Sequence, residues 1–293
     1  MEARPALQTP TICPACDRVP QRVARRVQGR ELWRCPACGL RWWDFRGVDP
    51  GALYTGAYFR GEAAHGYDDY YALRPALEHT GRIRLRRIAR LLGVTRGHLL
   101  ELGCGPGFFL AVARAAGWET HGVELSADAC RHACDVLGLS VTCAPAETTV
   151  VPPGSADLVV LWDVLEHLPD PAAALRTAAA ALRPGGGLAL TTGDVESVVA
   201  RLSGERWHLY TFPEHLYFHT PRSVRTLLQR SGFEVRAIRR EGMVVSAAYA
   251  VERVAKTLLG GRGRLRLPAL SRLCVPVNLG DVLAVYAIRG DGG

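Results

Sequence analysis

A glycine-rich turn at residues 101–107 constrains the fold of this chain more than any other feature. The turn reads Glu-Leu-Gly-Cys-Gly-Pro-Gly, follows the short apolar run His98-Leu99-Leu100, and precedes a helical pattern that begins at Phe108. Three glycines at alternating positions suit a tight turn and the close approach of a ligand, because glycine has no Cβ. In open α/β sheets, a turn of this kind between a strand and a helix binds nucleotide-like ligands. The turn therefore predicts an α/β fold with a ligand site at the end of a strand.

Strand and helix patterns alternate along the chain from His98 onward. The predicted strands are 99–101, 120–124, 140–143, 158–162, 188–192 and, last, 282–288. The predicted helices are 108–116, 127–137, 171–182 and 221–231, with an earlier helical stripe at 82–92. This alternation predicts a doubly wound α/β domain, which is a parallel sheet with helices on both faces.

Two classes of ligand compete for the glycine turn. A dinucleotide site has the pattern Gly-x-Gly-x-x-Gly, and this chain has Phe108 where the third glycine belongs. A carboxylate at Glu101 would repel a pyrophosphate, whereas it suits a ligand with an ammonium group and no phosphate, such as S-adenosylmethionine. Glu124 ends the next predicted strand, where a carboxylate can accept hydrogen bonds from ribose hydroxyls. Together these positions favour S-adenosylmethionine over a dinucleotide.

The N-terminal region contains two Cys-Pro-Ala-Cys pairs. Cys13, Cys16, Cys35 and Cys38 have a spacing that is typical of a tetrahedral four-thiolate zinc site. A segment of about forty residues buries too little apolar surface to fold alone, so the metal would stabilise it. We therefore expect a structural zinc ribbon over residues 1–45. A redox-active dithiol is the weaker alternative, because no thioredoxin-like βαβ pattern surrounds the pairs.

The cationic and aromatic residues of the ribbon admit two interpretations. They would form either a nucleic-acid surface or a solvated hairpin face with a small apolar seam, and we favour the second. The residues are Arg22, Arg25, Arg26, Arg30, Arg34, Arg41, Trp33, Trp42 and Trp43. The net charge of +8 likewise allows a polyanionic partner without requiring one. No run approaches the roughly 20 apolar residues that span a membrane, so we expect a cytoplasmic protein with free thiols at its other cysteines.

Three motifs of the predicted α/β domain resemble those of the class I S-adenosylmethionine-dependent methyltransferases, over residues 80–290. They are Glu101-Leu-Gly-Cys-Gly-Pro-Gly107, Leu161-Trp-Asp-Val-Leu-Glu-His-Leu168 and Leu182-Arg-Pro-Gly-Gly-Gly187. Segments 213–218 and 278–281 also resemble a bacterial small-molecule branch of this family that has an N-terminal zinc-binding region. The resemblance implies a Rossmann-like seven-stranded sheet whose last strand is antiparallel, with S-adenosylmethionine as the cofactor.

The resemblance also implies which residues contact the cofactor. They are Glu101, Gly103, Cys104, Gly105, Gly107, Glu124, Leu125, Ala146, Glu147 and Asp163. One departure affects the adenine, because many relatives have an acidic pair such as Gly-Asp after the third strand and this chain has Ala144-Pro-Ala-Glu147. Either the Glu147 carboxylate or the backbone at Ala146 would then bind the adenine amine.

Two histidines are candidate catalytic residues. His167 follows the fourth predicted strand, beside the expected sulfonium, and imidazole titrates near neutral pH, so we expect a general base there. His215 lies in an aromatic, histidine-rich segment at 194–219, which we interpret as a lid over the active site. The alternatives are that His167 only caps the following turn and that the segment is a hydrophobic plug.

Two further segments complete the domain organisation. Residues 46–80 are rich in tyrosine and glycine and are interpreted as a packed connecting segment before the methyltransferase domain at 81–293. An apolar stretch predicts a C-terminal helix at about 243–260, which would cover the sheet edge or the substrate pocket, or contact a membrane surface peripherally.

The predicted function is methyl transfer from S-adenosylmethionine to a small or medium-sized organic acceptor, such as a natural product, a cell-envelope metabolite, or a lipid or quinone. A ribosomal RNA base methyltransferase is the alternative enzyme, since some of these also have a zinc ribbon before this fold. A non-catalytic S-adenosylmethionine-binding regulator or scaffold is the alternative from another class.

Overall fold

The computed structural model describes residues 7–22, 26–63, 69–248, 251 and 273–290. The strands are β1 Gln21–Arg22, β2 Leu32–Arg34, β3 Arg41–Trp43, β4 His98–Leu102, β5 Glu119–Glu124, β6 Val141–Cys143, β7 Ala156–Trp162, β8 Leu182–Gly193, β9 Tyr217–Phe218, β10 Phe233–Arg240, β11 Met243–Ser246, β12 Cys274–Val277 and β13 Val282–Arg289. The α-helices are α1 Pro50–Leu53, α2 Gly56–Arg60, α3 Arg74–Leu92, α4 Phe108–Ala115, α5 Ala127–Arg131, α6 Pro171–Ala181, α7 Val198–Ser203 and α8 Pro221–Arg230.

A seven-stranded sheet forms the centre of the larger domain. Its strands lie in the order β10-β13-β8-β7-β4-β5-β6. The strands from β8 to β6 in that order pair in parallel, and β13 is antiparallel to both of its neighbours. The six strands predicted from the sequence are all present, and β10 is an additional one. The doubly wound sheet with an antiparallel last strand is therefore confirmed.

The central strands consist of buried aliphatic residues. The side chains of β7 from Leu158 to Leu161 are fully buried, as expected for a parallel strand with helices on both faces. Ile88 of α3 and Leu110 of α4 pack on one face of the sheet, and Leu175 of α6 packs on the other. This packing aligns the carboxyl ends of β4, β5 and β7, where the predicted site residues lie, along one edge of the sheet.

The first long helix, α3, is longer than the predicted stripe at 82–92. It begins at Arg74, has a proline in its first turn, and ends at Gly93, whose φ is 71°. Proline suits the first turn because its missing N–H needs no partner within the helix. The connecting segment at 46–80 therefore contains α1, α2 and the first turns of α3.

The N-terminal ribbon shares its sheet with the larger domain. This second sheet has the order β1-β2-β3-β9. Strands β1 to β3 belong to the ribbon, whereas β9 comes from segment 194–219 and pairs Tyr217 and Phe218 with Trp42 and Arg41. The ribbon is therefore continuous with the larger domain through backbone hydrogen bonds.

Segment 194–219, which was interpreted as a lid, is packed into the protein. Its aromatic side chains at Trp207, Phe212 and Phe218 are buried. The Trp207 indole donates a hydrogen bond of 2.9 Å to the buried carboxylate of Asp281. These aromatic side chains thus form a hydrophobic plug, which was the alternative interpretation of the segment. The segment forms a layer between the ribbon and the central sheet.

The structure contradicts the start of the expected helix at 243–260. Met243–Ser246 form strand β11, which pairs with the antiparallel strand β12. Val244 and Val245 are buried there, and adjacent β-branched residues favour an extended backbone. The expectation was wrong for these residues because an apolar run does not by itself distinguish a helix from a strand. Residues 252–260 lie outside the described part of the chain. Where the chain is described, none of its helices has the length and apolarity needed to span a bilayer.

Candidate cofactor and acceptor site

The glycine turn lies at the carboxyl end of β4, and its three glycines all have left-handed backbones. The angle φ is 74° at Gly103, 52° at Gly105 and 85° at Gly107. A Cβ on Gly103 would lie 2.6 Å from Val164, and one on Gly107 would lie 2.6 Å from Leu139. A Cβ on Gly105 would meet no atom within 4 Å. Packing therefore requires the outer glycines, whereas the middle one borders open space through which a ligand can approach the backbone.

Glu124 ends β5 directly beside this turn. Its Oε2 accepts a hydrogen bond from the Gly105 N–H and its Oε1 accepts one from the Ser126 N–H, each at 2.8 Å. Burial raises the pKa of this carboxyl, and the two backbone N–H groups oppose that rise. Because a carboxylate has about four acceptor positions, both oxygens keep the capacity to accept a hydrogen bond from a ribose hydroxyl.

Glu101 lies at the carboxyl end of β4 and is 3% exposed. Within the described residues its Oε2 has no hydrogen-bond partner. Burial raises the pKa of this carboxyl well above its usual value, while the charge of Arg84 acts in the opposite direction. A buried polar atom without a partner is rare and costly. An ammonium group would satisfy it, so Glu101 fits the amino-acid end of S-adenosylmethionine.

Arg84 on α3 was not identified from the sequence, where it belonged only to an arginine-rich helix face. Its guanidinium lies 4.3 Å from the ring centroid of Trp162 and 3.4 Å from the Asp163 carboxylate. Asp163 has a φ of 55°, which is costly for a non-glycine residue, and its N–H donates to Thr191 Oγ1 at 3.0 Å. Asp163 is thus fixed at the ligand-facing edge of the sheet.

The remaining predicted cofactor residues differ in how they face this edge. The Cys104 sulfur lies 2.7 Å from where a Cβ of Gly122 would be, so this side chain faces the sheet and only its backbone can face a ligand. The Ala144 N–H donates to the Glu124 carbonyl at 2.9 Å, which brings the loop after β6 to the end of β5. Near this junction lie Leu125, Ala146 and Glu147.

The two predicted catalytic histidines lie together. The ring centroids of His167 and His215 are 4.6 Å apart. His167 belongs to a 3₁₀ turn after β7, whereas His215 belongs to segment 194–219 and reaches the same point from the other side. Tyr54 places its hydroxyl 2.8 Å from His167 Nδ1. Sequence reasoning missed Tyr54, because nothing distinguishes it from the other tyrosines of the connecting segment.

Backbone carbonyls determine which nitrogen of each imidazole carries the proton. His167 Nδ1 lies 3.0 Å from the Glu214 carbonyl, and His215 Nδ1 lies 2.8 Å from the Leu209 carbonyl. A carbonyl only accepts, so a hydrogen bond to either carbonyl requires the proton on Nδ1 and leaves the Nε2 lone pair free; the Tyr54 hydroxyl beside His167 Nδ1 then acts as a second acceptor. Burial lowers the pKa of His167 to about 4 and the pKa of His215 well below its usual value. Both imidazoles are therefore neutral at pH 7.

Glu166 completes the cluster, although the sequence analysis did not assign it a role. Thr192 Oγ1 donates to its Oε2 at 2.8 Å. Burial, with a smaller effect from the charge of Asp163, raises the pKa of this carboxyl to about 8. A carboxylate oxygen of Glu166 and one ring nitrogen each of His167 and His215 lie within 4.8 Å of one another. The only signal in the sequence was its position next to His167.

The four ribbon cysteines converge in a single cluster. The sulfur atoms of Cys13 and Cys38 are 3.5 Å apart, those of Cys16 and Cys35 are 3.4 Å apart, and all four lie within 4.8 Å of one another. These distances exclude disulfides, whose sulfurs are about 2 Å apart. Gly39 follows the second pair with a φ of 80° and allows the chain to reverse there. The donor set is that of a tetrahedral structural zinc site.

Comparison with known proteins agrees with the strand order and the glycine turn, which define a class I S-adenosylmethionine-dependent methyltransferase. Residues 75–238, more than half of the chain, match a family described as a methyltransferase domain. The chain belongs to this methyltransferase family, and S-adenosylmethionine is the methyl donor of that family.

Three similar proteins illustrate the range of the relatedness. The chain is 27% identical over 207 residues to the ubiquinone biosynthesis O-methyltransferase of Cupriavidus pinatubonensis, across 65% of this chain and 82% of that one. It is 27% identical over 183 residues to a protein of the same name from Xanthomonas campestris, across 59% of this chain but only 64% of the relative. A S-adenosylmethionine-dependent methyltransferase of Thermotoga maritima has a TM-score of 0.50 and 20% identity, across 75% of this chain and 93% of that one. At that identity, the structural likeness shows the fold alone.

Proposed function

We propose that this protein transfers a methyl group from S-adenosylmethionine to a hydroxyl oxygen of a small aromatic acceptor, and that His167 accepts the hydroxyl proton. The observation that carries the proposal is the partly buried cluster of His167, His215, Glu166 and Tyr54 at the same edge of the sheet as the glycine turn. The names of the two bacterial relatives, both O-methyltransferases of ubiquinone biosynthesis, support a phenol-type or quinol-type acceptor.

On the cofactor side, the residues present fit S-adenosylmethionine. This cofactor supplies a methyl group on an electrophilic sulfonium when it is bound. The unpaired Glu101 oxygen would hold the ammonium group, and the Glu124 carboxylate would hold the ribose hydroxyls. The open space beside Gly105 would admit the ligand to the turn.

On the acceptor side, aromatic rings and a neutral imidazole lie together. Edge-to-face contacts join Tyr54 to Tyr58 at 5.1 Å and Tyr58 to Phe59 at 5.2 Å, and they form an aromatic wall beside His167. Such a wall suits a planar acceptor. A phenol has a pKa near 10, so it is mostly protonated at pH 7 and becomes a better nucleophile when a base takes its proton.

The hydrogen bonds of His167 direct that proton to one nitrogen. Its Nδ1–H is held by the Glu214 carbonyl, so the acceptor proton would move to Nε2. The low pKa keeps His167 unprotonated at pH 7, so its Nε2 lone pair would accept the single proton that the acceptor hydroxyl gives up. Positioning of the hydroxyl against the methyl group supplies the remaining acceleration.

For the ribbon, we infer that Cys13, Cys16, Cys35 and Cys38 hold a structural zinc ion remote from the methyl transfer. The close approach of four thiols supports this assignment. Elemental analysis of the purified protein should find equimolar zinc, and a protein that contains none would contradict it.

The function is tested with isotope-labelled S-adenosylmethionine and a panel of catechols, hydroquinols and aromatic amines. We expect mass spectrometry to find the label in methoxy groups. The His167→Gln variant should lose about 10²–10⁴-fold in kcat, the usual contribution of a general base, with an unchanged Kd for S-adenosylmethionine.

His121→Gln is the matched control, because His121 on β5 bonds to Ser140 and Thr142 away from this cluster. The control should retain wild-type kcat. Label found only on nitrogen or carbon, or wild-type turnover in His167→Gln, would refute the proposal.

A further inference from the structure

The four-cysteine ribbon holds the segment that carries His215. The Trp43 indole N–H donates a hydrogen bond of 2.9 Å to the His215 carbonyl. Gln28 Nε2 donates one of the same length to the Tyr210 carbonyl. Together with the β3–β9 pairing, these bonds fix the backbone of the segment at three points.

Side-chain contacts reinforce this attachment. The Arg30 guanidinium lies over the Trp43 ring at 5.1 Å and over the Phe212 ring at 4.7 Å, and the two rings meet edge to face at 5.4 Å. Thr220 Oγ1 donates a 2.7 Å hydrogen bond to the carbonyl of Cys38, which is itself one of the four metal-ligand candidates. Arg30 of the ribbon thus takes part in this packing.

Three consecutive residues of the segment, Glu214 to Leu216, contact the candidate active site. The Glu214 carbonyl accepts a hydrogen bond from His167 Nδ1, and the His215 ring lies against the His167 ring. The Leu216 N–H donates a hydrogen bond of 2.8 Å to the Glu166 carbonyl. The segment is therefore held on one side by Trp43 and on the other by the turn that carries His167. A shift of the ribbon would move the Glu214–Leu216 backbone and with it both imidazoles.

We propose that the ribbon holds the catalytic cluster in place from outside the acceptor site, and that Trp43 is a positioning residue, which acts through His215 on this cluster. The metal state of the ribbon would then control turnover and leave the affinity for S-adenosylmethionine unchanged. Glu101 and Glu124, which fit the cofactor, are held instead by the central sheet and by the turn itself. The turnover part of this inference rests on the proposed function, whereas the positional part can be measured without any acceptor.

The test compares Trp43→Phe with the control Trp33→Phe in the full-length protein. Trp33 lies on the neighbouring strand β2 and stacks under Arg22, at 5.3 Å. Loss of one buried hydrogen bond corresponds to about a tenfold change. Trp43→Phe should therefore increase amide hydrogen exchange at residues 209–219 about tenfold and lower kcat about tenfold. Its KM for the acceptor, its Kd for S-adenosylmethionine and its zinc content should equal those of the wild type and of the control.

A second variant and a metal-free sample keep the test decisive. If Trp43→Phe loses zinc, Gln28→Ala takes its place, because it removes only the bond to the Tyr210 carbonyl and should produce the same increase in exchange. Chelation of the ribbon metal should also raise exchange at 209–219 and leave residues 99–107 unchanged. Unchanged exchange at 209–219 in every one of these samples overturns the inference. Increased exchange together with no methylation of any phenol supports the positioning and counts only against the proposed acceptor.

Discussion

Replacing Glu101 by glutamine should weaken cofactor binding without weakening the fold. A hydrogen bond between charged groups contributes about 1.5–3 kcal/mol, so loss of the carboxylate charge should raise the Kd for S-adenosylmethionine roughly 10- to 150-fold. In the ligand-free protein, the same substitution should not lower the free energy of unfolding. Burial raises the pKa of Glu101 above its value in the unfolded chain, so its contribution to the free energy of unfolding is fully present below the unfolded pKa and is lost as pH rises. The glutamine variant does not undergo this loss, and its Tm at pH 7 should be at least that of the wild type.

Calorimetric titration with S-adenosylmethionine and thermal unfolding of the ligand-free protein measure the two effects separately. Glu119→Gln is the matched control, because Glu119 is an exposed carboxylate at the start of β5 that faces His98. It should change neither quantity. A lower Tm for Glu101→Gln with unchanged affinity would show that this carboxyl has a structural role, and the assignment of the ammonium site would then be wrong.

Three further predictions concern acid stability, the glycine turn and the metal. His219 is fully buried, and burial lowers its pKa to about 3. The unfolded chain therefore binds a proton at this histidine more readily than the folded protein does. As pH falls from 6.5 to about 3, the wild type should lose up to ~5 kcal/mol of its free energy of unfolding. His219→Phe should reduce that loss, and equal acid sensitivity in urea unfolding of both proteins would contradict it. Gly105→Ala should cost only the ~1–3 kcal/mol of backbone strain yet weaken S-adenosylmethionine binding, because its Cβ enters the open space. Gly103→Ala should lower Tm further, because its Cβ would also clash with the protein. If calorimetry and thermal unfolding rank the two variants alike, the assignment of the open space to the ligand is wrong. Cys35→Ser should release zinc and lower Tm, as measured by elemental analysis and thermal unfolding, and a variant with full zinc content would argue against the four-thiolate site.

The parts of the fold that depend on local sequence were predictable. The glycine turn and the six predicted strands follow from residue patterns that span one strand or one turn, whereas the antiparallel last strand was implied by the family resemblance. His167 and His215 were named from the sequence as separate candidates, and the structure brings their rings together at the end of β7. Their roles in the reaction remain predictions that the variants above test.

The parts that depend on distant partners were not predictable. Tyr54, Arg84 and Trp43 reach the site or support it from parts of the chain far away in the sequence. Each belongs to a group of similar neighbouring residues, and no local pattern singles it out. Strand β11 was predicted as helix, because its pairing with β12 depends on residues about 30 positions away. One signal was present for Glu166, since it directly precedes a histidine that had been singled out.

The pairing of β3 with β9 has a consequence for how the chain is made. Residues 41–42 are synthesised early, but their partners at 217–218 follow about 175 residues later, which takes roughly 10–35 s at the usual rate of translation. During that interval the edge of the ribbon sheet is open, and open strand edges can pair with other chains. Completion of this sheet is also a long-range contact, which forms slowly. A fragment that ends before residue 217 exposes the edge of β3, and one that starts after residue 45 exposes the edge of β9. We therefore expect such truncated products to aggregate, even where the zinc knuckles and the central sheet are each intact.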